Sequence, residues 1–365
     1  MYQFVIGSSD IALAYNGKLM GLYRSELNPF SLRFQFSDQN YDPTTVQPWV
    51  DSLGHEIYWK EGSTWTKVQG VEENQWDWYF PEPTEWGESF NYAFSDSDNM
   101  VQVIDGNTSL IRGMRGLFDG CTSLTSVCWL DTSRVTNMAR MFRDCELLTT
   151  VPPFDTHDVT QMWSMFMNCT SLTSVPYFDT SSALAMDNMF RGCSSLETIP
   201  QFNTRNVENM GWMFMNCTSL TSVPLLNTQN VTNMKGMFDG CSSIETVPLF
   251  NTQNVTDMVD MFVNCYSLIT LPLFDTRNVT DMSLMCAGCR SLTSIPLFNT
   301  QNVTSMVGAF EDCVNVESGA LALYQQASSQ ANPPTYHNGT FYDCGINTVT
   351  GAAELAQIPY DWKAI

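Results

Sequence analysis

Apolar residues along this chain recur in fixed columns 24 positions apart. Val135, Val159, Val207, Val231, Val255, Val279 and Val303 form one column. Met138, Met162, Met186, Met210, Met234, Met258, Met282 and Met306 form the next. Leu124, Leu148, Leu172, Leu196, Leu220, Leu268 and Leu292 form a third. A cysteine column is unbroken through Cys121, Cys145, Cys169, Cys193, Cys217, Cys241, Cys265, Cys289 and Cys313. A fixed period of this length means stacked units, because no single unit can bury its own apolar face. The sequence therefore predicts a solenoid, which offers a long rigid surface rather than an enzyme pocket.

Two spacings coexist within each unit. Val231, Met234, Met237, Phe238 and Cys241 fall at intervals of three and four, which predicts a short helix or helical turn that Asn227 or Thr228 can cap. Ile244–Val247, with β-branched neighbours and bounded by Pro248, predicts a brief strand paired in parallel with its equivalents. Stacked at about 4.8 Å, nine coils make a rod about 40–45 Å long. Asp155, Asp179, Asn203, Asn227, Asn251, Asp275 and Asn299 form a polar column suited to bonding backbone groups at a corner.

The run Phe-(Asp/Asn)-Thr-x-x-Val-Thr-x-Met-x-x-Met-Phe-x-x-Cys-x-Ser-Leu, clearest from Phe250 to Leu268, resembles the BspA-like leucine-rich repeat. The resemblance covers roughly residues 107–316. It departs from the pattern at Leu117, Ala309 and Gly319, and at Cys286, which takes a phenylalanine position. It implies a curved α/β repeat solenoid with a parallel β-ladder and short helices, and a role in surface recognition. It names no ligand.

Four segments are expected. Residues 1–25 read as an N-terminal arm or docking hairpin. Residues 26–106 read as a small, mostly β capping module, with Leu32–Phe36 and Thr64–Val68 as strands and six of the ten tryptophans. Those tryptophans make a core that covers the solenoid end, with a sugar site as the sharper alternative. Residues 107–316 are the repeats. Residues 317–365 are a C-terminal cap, with a helix over Glu317–Ser328 and a second one capped by Thr350.

Composition narrows the function. A net charge of −22 argues against nucleic acid, whose binding needs basic surface, and against anionic membrane surfaces. Stacked cysteines give poor disulfide geometry, so the column reads as buried thiols packed as small apolar groups. Three histidines share no spacing with them, so no zinc site is expected. Asp96-Ser97-Asp98 and Asp105-Gly106-Asn107 read as solvated turns, not calcium loops. The triplets at Asn230, Asn254, Asn278 and Asn302 belong to the repeat rather than to glycosylation. No catalytic constellation and no cofactor are expected.

Residues 1–25 lack a basic start and a continuous apolar core, and no stretch is long enough to span a bilayer. The expectation is a chain assembled in the bacterial cytoplasm. These readings lead to a phage virion structural protein, tail- or fibre-associated, that presents its repeat surface to a host glycan or protein. The alternatives are a decorative or assembly virion protein bound to a neighbouring subunit, and a bacterial cell-surface adhesin. Its partners are then other virion proteins and the host surface, and a homo-oligomer is compatible. Contact would be multivalent, through many weak bonds along one rod. The candidate ligand-binding residues are Thr173, Ser174, Thr221, Ser222, Thr293 and Ser294 on the strand side. Trp163 and Trp212 serve as aromatic anchors on the other side.

Overall fold

The structure is a computed structural model that describes residues 2–6, 10–15, 18–24, 31–37, 64–67, 74–79, 91–106, 108–109 and 111–364. Strands β1 (Tyr2–Ile6), β2 (Asp10–Tyr15) and β3 (Lys18–Arg24) form one antiparallel sheet, with Tyr2 opposite Tyr15 and Asp10 opposite Arg24. A second sheet has the order β5-β6-β4-β7-β8. It contains β4 (Ser31–Phe36), β5 (Thr64–Lys67), β6 (Asn74–Tyr79), β7 (Met100–Gly106) and β8 (Ser126–Val127). Its last pair is parallel, Gln102 against Ser126 and Val103 against Val127, and this joins the antiparallel sheet to the stack of coils. Strands thus lie where Leu32–Phe36 and Thr64–Val68 predicted them. Three of the six tryptophans of this module, Trp49, Trp59 and Trp86, lie outside the described residues.

Within the repeats the predicted helix does not form. Met234, Gly236, Phe238 and Gly240 donate their amides to Asp257, Val259, Met261 and Val263 of the next coil, at 2.7–3.2 Å. Between them, Met237, Asp239 and Cys241 donate back only three residues, to Met234, Gly236 and Phe238. No amide is left for an i→i−4 ladder. Gly236 and Gly240 also sit in the left-handed region (φ 56° and 74°), which a right-handed helix cannot contain. The helical spacing of the apolar residues instead marks a run of tight turns, stacked coil on coil. A parallel bridge precedes the turns on each coil, through Asn137, Gln161, Ala185, Asn209, Asn233, Asp257, Asp281 and Ser305.

The expected strand at Ile244–Val247 is also corrected. One coil-to-coil bond marks this side, as when the Ile269 amide donates to the Glu245 carbonyl (3.0 Å). On this side, among the described residues, parallel pairing occurs only at the ends of the stack, as strands at β7–β8 and as a single bridge between Ser294 and Ser318. Prolines at 224, 248, 272 and 296 remove the donors that a longer ladder needs.

Side chains fill the interior in columns. Eight phenylalanine rings, Phe94, Phe118, Phe142, Phe166, Phe190, Phe214, Phe238 and Phe262, stack at centroid distances of 5.5–6.0 Å. All nine cysteines of the column are buried free thiols. Each donates to the carbonyl 27 residues back, as Cys241 does to Phe214, at 3.0–3.1 Å. Burial pushes the thiols of Cys121, Cys145, Cys169, Cys193, Cys217, Cys241, Cys265 and Cys313 up, and that of Cys344, outside the column, to about 12, so these groups stay protonated donors. A buried threonine column ties each coil to the next: Thr228 Oγ1 donates to the Asn251 carbonyl at 2.8 Å, and its equivalents do the same. Thr228 therefore links coils instead of capping a helix. Asn227 Oδ1 accepts the Gln229 amide (3.2 Å), the corner bond that its column predicted.

Coil geometry reaches beyond residues 107–316 at both ends. Tyr92, Phe94 and Asp96 already donate to Arg115, Leu117 and Asp119 of the next coil. At the far end Phe310 donates to Thr340, and Phe341 stacks on Phe310 at 6.1 Å. Helices α1 (Ala320–Ser328) and α2 (Val349–Gln357) flank this last turn. Thr348, and not Thr350, caps α2, accepting the Gly351 amide at 3.0 Å. Trp362 stacks on His337 (4.3 Å) and Phe341 (6.2 Å) and closes the phenylalanine column.

Candidate functional site

Each coil presents two outward sides: the turn side and the Val-Pro-x-Phe side. On the turn side each coil carries left-handed residues at two columns, such as Trp212 and Asn216. Trp212 is one of them (φ 55°), and its indole lies along the surface over the next coil. A Cβ on Gly236 would meet Trp212 Cδ1 at 2.5 Å, so the ring rests there only because residue 236 is glycine. Lys235 Nζ stands 5.7 Å from the same ring. Tyr92 lies over Gly116 in the same way.

Trp163 faces a cation too: Arg115 Cζ is 5.0 Å from its ring and 5.6 Å from that of Tyr92. Arg140 lies across Tyr92 at 5.7 Å and pairs with buried Asp119 at 3.2 Å, as Arg143 does at 2.7 Å. Cation–aromatic contacts and a desolvated ion pair thus knit the first coils of this side together. Further along, Asp239 is pushed up to about 6 by burial and by the neighbouring charge of Asp260. Among the described residues no group of histidine, cysteine or acidic side chains is placed to hold a metal ion. None of the described helices is long and apolar enough to cross a membrane.

The predicted residues fall into two separate sets. Trp163 and Trp212 are half-buried, share the turn side and stand two coils apart. Thr173, Ser174, Thr221 and Ser222 are exposed on the other side of the buried cysteine and leucine columns. Thr293 and Ser294 are only half-buried there: Thr293 Oγ1 is spent on the Ile269 carbonyl (3.2 Å), and Ser294 bridges to Ser318. No single site gathers both sets. The asparagines of the Asn-x-Thr triplets serve the repeat, since Asn230, Asn254, Asn278 and Asn302 each donate to a carbonyl of the preceding coil at 2.6–2.8 Å.

Sequence reasoning missed the exposed leucines Leu225, Leu249, Leu273 and Leu297. The signal was present: each stands beside a buried residue of the Phe column, where strand-like alternation points it outward.

Stacked 24-residue coils with columnar cores define a repeat scaffold of the leucine-rich, BspA-like kind. The chain belongs to the family described as Mycoplasma protein of unknown function, DUF285. Its matches run over residues 88–197, 146–246, 194–294 and 221–324, well over half of the 365 residues. The chain is also similar to two solved structures. A leucine-rich repeat protein from Eubacterium ventriosum is 14% identical, with 69% of this chain and 86% of that one covered and a TM-score of 0.31. The Leucine Rich Repeat protein of T. pallidum is 17% identical, with 64% and 86% covered and a TM-score of 0.27. At those scores the architecture rests on the coil geometry itself. No curated protein matches the chain.

Proposed function

We propose that this chain is a non-catalytic recognition protein of a phage virion, tail- or fibre-associated, that binds host-surface glycan through its turn side. The observation that carries the reading is the half-buried Trp212 indole, whose Cδ1 and Nε1 lie over Gly236 of the next coil. A ring held along a surface offers its face to the apolar face of a sugar, with the polar edge left for neighbouring side chains. Lys235 of the next coil holds its Nζ 5.7 Å from the ring. Trp163, two coils and about 10 Å away along the stack, adds a second half-buried ring one column over, beside Arg115. A chain of sugars running along the rod meets both rings, and several copies on one particle multiply weak contacts.

Two measurements test this. Gold-antibody labelling of purified phage particles is expected at a tail tip or fibre, and absence from particles with signal on bacterial envelopes replaces the virion with a cell-surface adhesin. In glycan-array and whole-cell binding, Trp212→Ala is expected to weaken binding about tenfold or more, as truncation of an aromatic anchor does. Unchanged binding in the Trp163→Ala, Trp212→Ala double variant sinks the turn-side site.

A further inference from the structure

Leu225, Leu249, Leu273 and Leu297 stand one per coil on four successive coils, and each is 55–61% exposed. Half-buried prolines precede them, and Ile269, itself 42% exposed, widens the stripe beside Leu273. Together they offer on the order of 500 Å² of contiguous apolar surface, at the upper end of what a monomer leaves open. With the Thr/Ser rim on one flank and the Asn/Gln rim on the other, the face reaches the about 800 Å² per partner of a stable complex.

Charge singles out the same face. The chain carries −22, yet between Thr221 and Asn302 this side presents only Glu245 and the Arg277–Asp275 pair (2.8 Å). Two such acidic molecules can approach here with little local repulsion, because a Debye length of about 8 Å screens charges on the far side of the coil. Period selects the partner. A second copy brings leucines at the same one-per-coil spacing, so every leucine of one stripe finds a leucine of the other.

We infer that the leucine stripe joins two copies of this chain side by side, stripe on stripe, with the stacks parallel. A two-fold axis along the stack sets the Thr/Glu rim of one copy against the Asn/Arg rim of the other. Glu245 then faces Arg277 of the other copy, one coil away. An antiparallel pair sets each rim against its own kind and leaves Arg277 opposite Gln253. The pairing is independent of what the tryptophan side binds.

Sedimentation of the full chain tests the pairing. A dimer is expected at micromolar concentration, and Leu249→Glu with Leu273→Glu is expected to leave a folded monomer whose melting temperature matches that of wild type diluted below its dissociation constant, because both leucines are exposed. A wild-type chain that stays monomeric to about 100 µM, or a double variant that still dimerises, overturns the proposal. Direction is read from cysteines placed at the two ends of the stripe. Leu225→Cys and Leu297→Cys are each expected to cross-link to their own kind under oxidation. A dimer in which neither does so, but a mixture of the two does, overturns the parallel arrangement.

Discussion

The two sides of each coil are held by different forces. On the turn side, four successive alternate amides, from Met234 to Gly240, bond main chain to main chain across every coil boundary. On the proline side, Ser222–Asn227, Thr246–Asn251 and Thr270–Asp275 make no coil-to-coil main-chain bond. Side chains hold that side instead: the threonine hydroxyls, the asparagine amides and the stacked rings of Phe250 and Phe274 at 6.3 Å. Main-chain bonds are indifferent to side-chain identity, so the turn side accepts Trp, Gly, Asp or Leu at one column. The proline side depends on identity, and its inner columns scarcely vary. A variable surface belongs where the backbone carries the fold.

Thr228→Val strikes the identity-dependent side. It removes a donor and leaves the Asn251 carbonyl unpaired, at a cost of about 2 kcal/mol in chemical denaturation. A loss as small as that of an exposed substitution would mean that the threonine column does not hold the proline side. Gly240→Ala strikes the turn side. It forces alanine to φ 74° with its Cβ 2.3 Å from Asn216 Oδ1, for about 1–2 kcal/mol. The same variant should speed amide exchange at Phe238 and at residue 240 before it does so at Ile269, whose amide bonds Glu245 on the other side.

Asp239→Asn sharpens the comparison with the smallest effect. Burial and Asp260 raise the folded-state value to about 6 from 3.8, so the native chain holds a proton that the unfolded chain has lost. Stability from this group is complete below pH about 4 and falls as pH rises through 6. Asparagine removes that loss. Its melting temperature should exceed wild type at pH 7 by a few degrees and match it at pH 4. A gap that is the same at both pH values would count against the titration.

The period and the core columns were legible because burial in a repeat is written directly as identity at a fixed spacing. Val231, Met234, Phe238, Cys241 and Ile244 are all buried, as their columns required. The run of turns was misread as helix because both bury residues at intervals of three and four. What distinguishes them is a bond to the neighbouring coil, which no single unit encodes. The outer coils were missed for two reasons. Ser97 stands where a cysteine is expected, and the interval from Cys313 to Cys344 is 31 residues because α1 interrupts the coil. The leucine stripe went unread because Leu249 beside Phe250 looks like core until the backbone shows which of the two points inward. Of the predicted contact residues, the tryptophans and the Thr/Ser pairs were found on the surface, but only the geometry divided them between two sides.

The thiol ladder has a consequence for size. Each S–H reaches back one full coil and three residues, so removing or adding 24 residues leaves every such bond with an equivalent partner. Any other length must bulge out, as the stretch around α1 does. Reach is therefore quantised. A gene can lengthen or shorten this rod in steps of about 5 Å, one duplicated coil at a time, without redesigning a single contact.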